Sequence, residues 1–260
     1  MIQKPFGRIW LAVLVLSLVS PACSAAQTAS QTRVPTDTPL PLTVTLVPTP
    51  TPVPTSTPKP SPTPDIAATQ GYEDFYAVVK GYNDKGYFTS MEGSQTLLED
   101  FSESWPQIDW YQWWPTNLVV KNFVYSGHFQ WSVASQTPEY SGCGIAFAIQ
   151  KDGSNYTFFL DKSRVVAYHY VANLKIPQEI GKTKGSGRVS VSSPYEADFS
   201  MVLNSNHAYV YVDKAFVGEY TLSVDSDMRG KFGFTLLSGT NKDYGTKCDI
   251  TNSRLWILNN

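Results

Sequence analysis

The feature that most constrains this chain is a succession of short runs between residues 129 and 258 in which apolar and polar side chains alternate, each run ended by a turn signal. Phe129, Trp131 and Val133 alternate with polar partners, and Ile145, Phe147 and Ile149 repeat the pattern. Successive strand residues point to opposite faces, so such a run buries one face and wets the other. Further runs cover residues 156–160, 165–171, 199–203, 209–212, 216–222, 232–237 and 250–258. Between them stand Lys151-Asp152-Gly153, Asp161-Lys162, Asn204-Ser205-Asn206, Asp213-Lys214 and Ser238-Gly239-Thr240-Asn241, whose side chains favour turns. No segment of helical period separates the runs, which argues against βαβ units and predicts an all-β antiparallel sandwich of about nine or ten strands. Ahead of it, Phe75, Val78, Val79 and Tyr82 recur at three- and four-residue spacing, and Gly86 stands where a helix would stop; one short helix is expected there.

The N-terminal part cannot belong to that core. Residues 1–22 pair a basic start, Lys4 and Arg8, with an apolar run over 9–19 and the small residues Ser20, Pro21 and Ala22. That is the layout of a signal peptide, and the run is too short to cross a bilayer as a permanent helix. Residues 23–70 carry no aromatic side chain, and Pro alternates with Thr over 47–64. Such a segment cannot bury a core, so a disordered Pro/Thr-rich stalk is expected, extended in polyproline II conformations and reaching on the order of 100 Å. The globular domain is then residues 71–260.

The cysteines sort the same way. The chain has 3, an odd number for an exported protein. Cys23 follows Ser20, Pro21 and Ala22, where a bacterial lipoprotein carries its acylated cysteine, although such signals usually have Leu where Ser20 stands. Cys143 and Cys248 are left as a pair, and a disulfide between them accounts for all the thiols. Cleavage after Ala26, with loss of Cys23 and release of the protein, is the alternative. Export to the extracytoplasmic face of a bacterial membrane, by a lipid anchor or by secretion, is the expectation.

A formal net charge of -2 provides no basic footprint, and nucleic acid is set aside as a partner. None of the 7 Trp and 15 Tyr falls in the stalk, and all but Trp10 of the leader lie beyond residue 70, so the globular part is rich in aromatic surface. They cluster at Trp105, Trp110, Tyr111, Trp113 and Trp114. Indole faces stack on the C–H surfaces of sugars, and Asp109 and Gln112 could bond hydroxyls. If the segment is extended, Trp110, Gln112 and Trp114 share one face and Tyr111 and Trp113 the other, so one set is buried and at most half can meet a ligand. The candidate ligand-binding residues are Asp109, Trp110, Gln112 and Trp114.

The segment ADFSMVLNSNHAYVYVDKAFV from Ala197, then GKFGFTLLSG and the closing TNSRLWIL, resembles the C-terminal half of concanavalin A-like sandwiches of the laminin-G, glucanase and 3-keto-disaccharide hydrolase-like type. The resemblance covers roughly residues 100–258 and implies a jelly roll with carbohydrate as its ligand class. The hairpin of such domains reads V-Y-V-D-G-x-x-V-G, and here Lys214 replaces its first glycine. The glucanases of this fold carry Glu-x-Asp-x-x-Glu or Glu-x-Asp-x-Glu, for which the chain offers only Glu196-Ala197-Asp198, read as solvated charges at a strand edge.

His128, His169 and His207 have no metal-ligand spacing. Asp225-Ser226-Asp227 offers oxygens to Ca²⁺ but falls well short of the six to eight that the ion takes, so no cofactor is expected. The leading expectation is a non-catalytic surface module that binds a polysaccharide or surface glycan. A hydrolase of the 3-keto-disaccharide type and a structural or adhesive protein-binding module are the alternatives.

Overall fold

The computed structural model of the chain describes residues 66–259 apart from 137–139, 163, 182–183, 186–192 and 224–227. The leader, the stalk, Cys23 and the turn Asp225-Ser226-Asp227 lie outside the described residues. The elements run α1 (Ile66–Asp84), β1 (Gly93–Leu97), β2 (Phe101–Trp105), β3 (Trp110–Val120), β4 (Phe123–Val133), β5 (Gly142–Ile149), β6 (Asn155–Asp161) and β7 (Arg164–Tyr170). They continue with β8 (Pro177–Glu179), β9 (Lys184–Gly185), β10 (Tyr195–Asn204), β11 (His207–Val212), β12 (Ala215–Thr221), β13 (Gly230–Ser238) and β14 (Thr246–Leu258).

These strands form two antiparallel sheets. The first has the order β1-β14-β4-β10-β11-β12, with β2 also on β14; the second has the order β3-β13-β5-β6-β7-β8, with β9 also on β7. Every alternating run read from the sequence is a strand, because its apolar residues interdigitate between the sheets: Phe129, Phe199, Phe147, Phe158, Phe232 and Ile250 are fully buried in one cluster. The strands β1 and β2, GSQTL and FSESW, carry too few apolar residues to be read that way. They exist because β14 is 13 residues long and offers β1 its last stretch, Leu97↔Arg254 to Gly93↔Leu258, and β2 its first, Phe101↔Ile250 to Trp105↔Thr246.

Helix α1 starts at Ile66, ahead of the expected Gly71. Phe75, Val79 and Tyr82 form its buried stripe, against Val124, Val202, Tyr211, Trp256 and Leu258 on the outer face of the first sheet. Val78 has the right spacing but lies off that stripe, 38% exposed. Gly86 ends the helix as expected: at φ 80° it takes the left-handed conformation that glycine adopts without a Cβ penalty, and the Tyr87 N–H returns to the Tyr82 carbonyl.

Cys143 of β5 and Cys248 of β14 are joined in a disulfide, with Cα atoms 5.4 Å apart. It links one sheet to the other through the core, where both residues are fully buried. Glu196 and Asp198 are solvated as expected and pair with β4 alone, because the β11 ladder of β10 begins only at Phe199. Their partner is His128, directly across from Asp198.

Candidate functional site

Register decides which side chains share the outer face of the second sheet. One cross-strand row is Trp113–Thr235–Gly144–Phe159–Val166, and the next on the same face is Pro115–Gly233–Ala146–Thr157–Tyr168. The centre of these rows is narrow because its side chains are small. A Cβ on Gly144 would lie 2.2 Å from the Phe158 carbonyl oxygen, so the strand crossing there admits only glycine. Large rings stand on either side.

Those rings meet. β3 and β7 are four strand intervals apart, about 19 Å on a flat sheet. Yet the Tyr111 and Tyr168 ring centroids are 6.3 Å apart and nearly parallel, and those of Trp113 and Tyr170 are 6.0 Å apart. The sheet is therefore curled and its outer face concave, with aromatic side chains leaning across from both walls. Tyr111, Phe159, Val166 and Leu237 are buried under this cover, while Trp113, Tyr140, Tyr168 and Tyr170 pack against them from positions half open to solvent.

Among these apolar residues the floor also carries polar groups that are incompletely bonded. The Tyr111 hydroxyl, Asn155 Oδ1, Thr157 Oγ1 and Asp161 Oδ1 are buried without a hydrogen-bond partner. Tyr111 faces the side chains of Thr157 and Asn155, but neither contact has hydrogen-bond geometry. Asn155, Thr157 and Asp161 fall at odd positions along β6, so the strand's own period brings them to one face. Burial raises the Asp161 carboxyl above its usual range, while its ion pair with Arg164 opposes the shift. The Arg164 guanidinium in turn lies over the Tyr140 ring, 4.5 Å from the centroid. Burial pushes the Tyr168 hydroxyl up to about 12, with Glu179 adding to the effect, and carries Tyr111 further in the same direction.

The sequence-derived residues divide between the two sides of β3. Trp114 pairs with Phe234 and faces inward, its ring edge-on to Phe101 at 5.3 Å. Gln112 shares the inward register opposite Leu236, and its amide nitrogen reaches the Trp113 carbonyl at 3.4 Å. Trp110 opens the strand after Asp109, which is held at φ 55°. Its ring packs on Tyr111 at 5.8 Å and against Tyr170 at 6.4 Å, so Trp110 joins the outer aromatic group despite its parity with Gln112 and Trp114. Tyr168, Tyr170, Asn155, Thr157, Asp161 and Arg164 were not singled out from the sequence. The available signal was the polar alternation of Asn155, Thr157 and Asp161 inside a strand otherwise apolar.

Among the described residues, no group of three or more His, Cys, Asp or Glu side chains is placed to hold a metal ion. No protein-family model matches the sequence, and no curated protein matches it. Several solved structures are similar in shape. One is the carbohydrate binding module CBM66 from Bacillus subtilis, with a TM-score of 0.44 and 12% identity over 62% of this chain and 95% of that one. Another is sheep galectin-11 in complex with glycerol, with a TM-score of 0.36 and 10% identity over 57% of this chain and 98% of that one. A third is a Bacillus licheniformis beta-glucanase, with a TM-score of 0.39 and 12% identity over 54% of this chain and 68% of that one. Likeness of this degree carries no functional argument.

Proposed function

We propose that the chain is an exported, surface-held protein whose concave outer sheet face binds a polysaccharide or surface glycan without cleaving it. The observation that carries this reading is the row of buried, unpartnered polar atoms beneath the Tyr111, Trp113, Tyr168 and Tyr170 rings. An unmet buried hydrogen-bonding group costs about 1–3 kcal/mol, so the three that lie together, at Tyr111, Asn155 and Thr157, call for a partner, with Asp161 at the far end of β6. A sugar supplies both halves of what the face lacks: hydroxyls for the floor and C–H surface for the rings. Trp113 and Trp110 form the wall from β3, Tyr168 and Tyr170 the wall from β7. Binding parts the rings across the groove.

Glycoside hydrolysis takes two carboxyl groups flanking the scissile bond. Asp161 is the one acid buried among the described residues, and it is engaged by Arg164, an arrangement suited to holding a ligand. The anchor is Cys23, acylated after removal of residues 1–22, with the Pro/Thr stalk carrying the domain outward.

A glycan array and polysaccharide retention, each with and without Ca²⁺, test the function. The expected outcome is retention of at least one glycan and a loss of about tenfold or more in Trp113→Ala and Tyr168→Ala. Retention of none would sink the proposal, and sugar released from a bound polysaccharide would move it to the hydrolase reading. Mass analysis of the mature N-terminus separates an acylated Cys23 from cleavage after Ala26.

A further inference from the structure

The outer face of the first sheet is only partly covered by α1. Beyond the seam where Phe75, Val79 and Tyr82 seat the helix, a cleft of about 400 Å³ runs along the helix flank formed by Ala77, Gly81 and Lys85. Its floor is polar: Ser126 and His128 from β4, Asp198 and Ser200 from β10, Asn252 from β14, and Lys214 from the β11–β12 turn. That volume falls within the range of small-molecule sites.

Two of these residues, Lys214 and Asn252, hold left-handed backbone conformations, which lysine, unlike asparagine, disfavours. Asp213 and Lys214 have φ of 48° and 66°, the paired left-handed geometry of a tight two-residue hairpin. Asp-Gly or Asn-Gly is the relaxed choice there, and lysine in the glycine place costs stability. Asn252, at φ 53°, sits where β14 changes register against β4 between Thr251 and Arg254. Such a bulge re-aims side chains, and here it brings Asn252 into the cleft. Strain kept at Lys214, on the lining of this cavity, points to a task for that cavity.

The charges narrow the task. His128 lies between Asp198 at 2.9 Å and Glu196 at 3.3 Å. The Asp213 carboxylate accepts the Asp198 N–H at 2.9 Å, and Lys85 donates to the Tyr211 hydroxyl at 3.0 Å. Lys214 is left as the charged group lining the cleft that no other described residue engages. Lys214, with Lys85 as a second cation on the helix flank, stands beside two serine hydroxyls and an amide, a set that matches a ligand with one negative charge and several hydroxyls. We propose that this cleft is a second binding site, separate from the concave face, for a hydroxylated carboxylate the size of one uronic acid residue. Lys214 meets the carboxylate, and Ser126, Ser200 and Asn252 meet the hydroxyls.

Calorimetric titration of the full chain with D-glucuronate, and with D-glucose as the neutral control, tests it. Glucuronate should bind at least tenfold more tightly than glucose. Lys214→Gly relaxes the turn, so its melting temperature should not fall, and its glucuronate affinity should drop at least tenfold. Gly81→Leu should abolish binding with the helix intact, because a Cβ at Gly81 meets nothing within 4 Å and the longer side chain enters the cleft. Equal affinity for glucose and glucuronate, no glucuronate binding, or full affinity in Lys214→Gly would each overturn the proposal.

Discussion

The two outer faces of the sandwich solve one problem in opposite ways. The face behind the first sheet is partly covered by α1, and most polar groups beneath and beside the helix find partners within the chain, Gln95 Oε1 being an exception. Tyr82 and Ser200 share a hydrogen bond at 2.7 Å, Tyr87 and Tyr211 share another at 2.7 Å, and His207 meets Glu219 at 2.6 Å. The face behind the second sheet has no helix over it among the described residues; it is covered by its own aromatic side chains, and single polar atoms under them stay unmet. Hydrophobic cover alone therefore does not distinguish a structural face from a binding face. Unmet hydrogen-bonding groups gathered under that cover are the better guide, because a buried donor or acceptor stays unmet only where something else meets it or where its cost is tolerated, as it is at Trp105, Trp131 and Thr246.

The largest expected effect tests whether the two faces rest on one core. The disulfide joins β5 to β14 across 105 residues of chain, for which chain-entropy reasoning expects about 4–5 kcal/mol of stability. Replacing Cys143 and Cys248 together by Ser should lower stability by that order in denaturant unfolding, and glycan and glucuronate binding should vanish in the same transition. One site outlasting the other would mean that the sheets unfold separately.

A smaller effect compares the phenols of the two faces. Burial, ahead of any other cause, pushes Tyr82 under the helix and Tyr168 on the open face up to about 12 from the ordinary 10.0. A raised pKa means that the folded state holds the proton more tightly, so this stabilisation is present below pH about 10 and is lost as pH climbs toward 12. For a phenol as buried as Tyr82 the contribution is about 2–3 kcal/mol. Melting temperature should fall over that window, with phenolate absorbance rising alongside unfolding, and Tyr82→Phe should flatten the fall. An unchanged alkaline slope in that variant would show that its environment is wetter than the structure has it.

Legibility from sequence followed locality. The alternating runs, their turns and the Gly86 stop are written in neighbouring residues, and the odd cysteine count singled out the bonded pair. Polar β1 and β2 were illegible because their existence depends on the length of β14, and Val78 was misassigned because spacing alone does not say where an apolar stripe ends. The aromatic cluster was visible as composition, and strand parity separated Tyr111 and Trp113 from Trp114. Parity could not show that Trp110 folds back onto Tyr170, nor that curling brings β7 to β3. Lys214 was legible as a missing glycine, but the cleft it lines needs a helix, three strands and a bulge to assemble.

The finest comparison uses two buried tyrosines that differ in one bond. Tyr125 is fully buried in the core and shares a hydrogen bond with Ser253 at 2.9 Å. Tyr111 is 1% exposed, and its hydroxyl has no partner. Tyr125→Phe leaves the Ser253 hydroxyl unmet and should cost about 1–3 kcal/mol, whereas Tyr111→Phe removes an unmet group and should leave stability unchanged or raise it by about 1 kcal/mol. If the Tyr111 hydroxyl waits for a sugar, the same substitution must weaken glycan binding while Tyr125→Phe leaves it alone. Chemical denaturation and glycan affinity measured on both variants give four numbers whose signs are fixed in advance. Loss of stability in Tyr111→Phe would mean that the hydroxyl is already bonded in the free protein, and the contrast between the two faces would then fail at its strongest point.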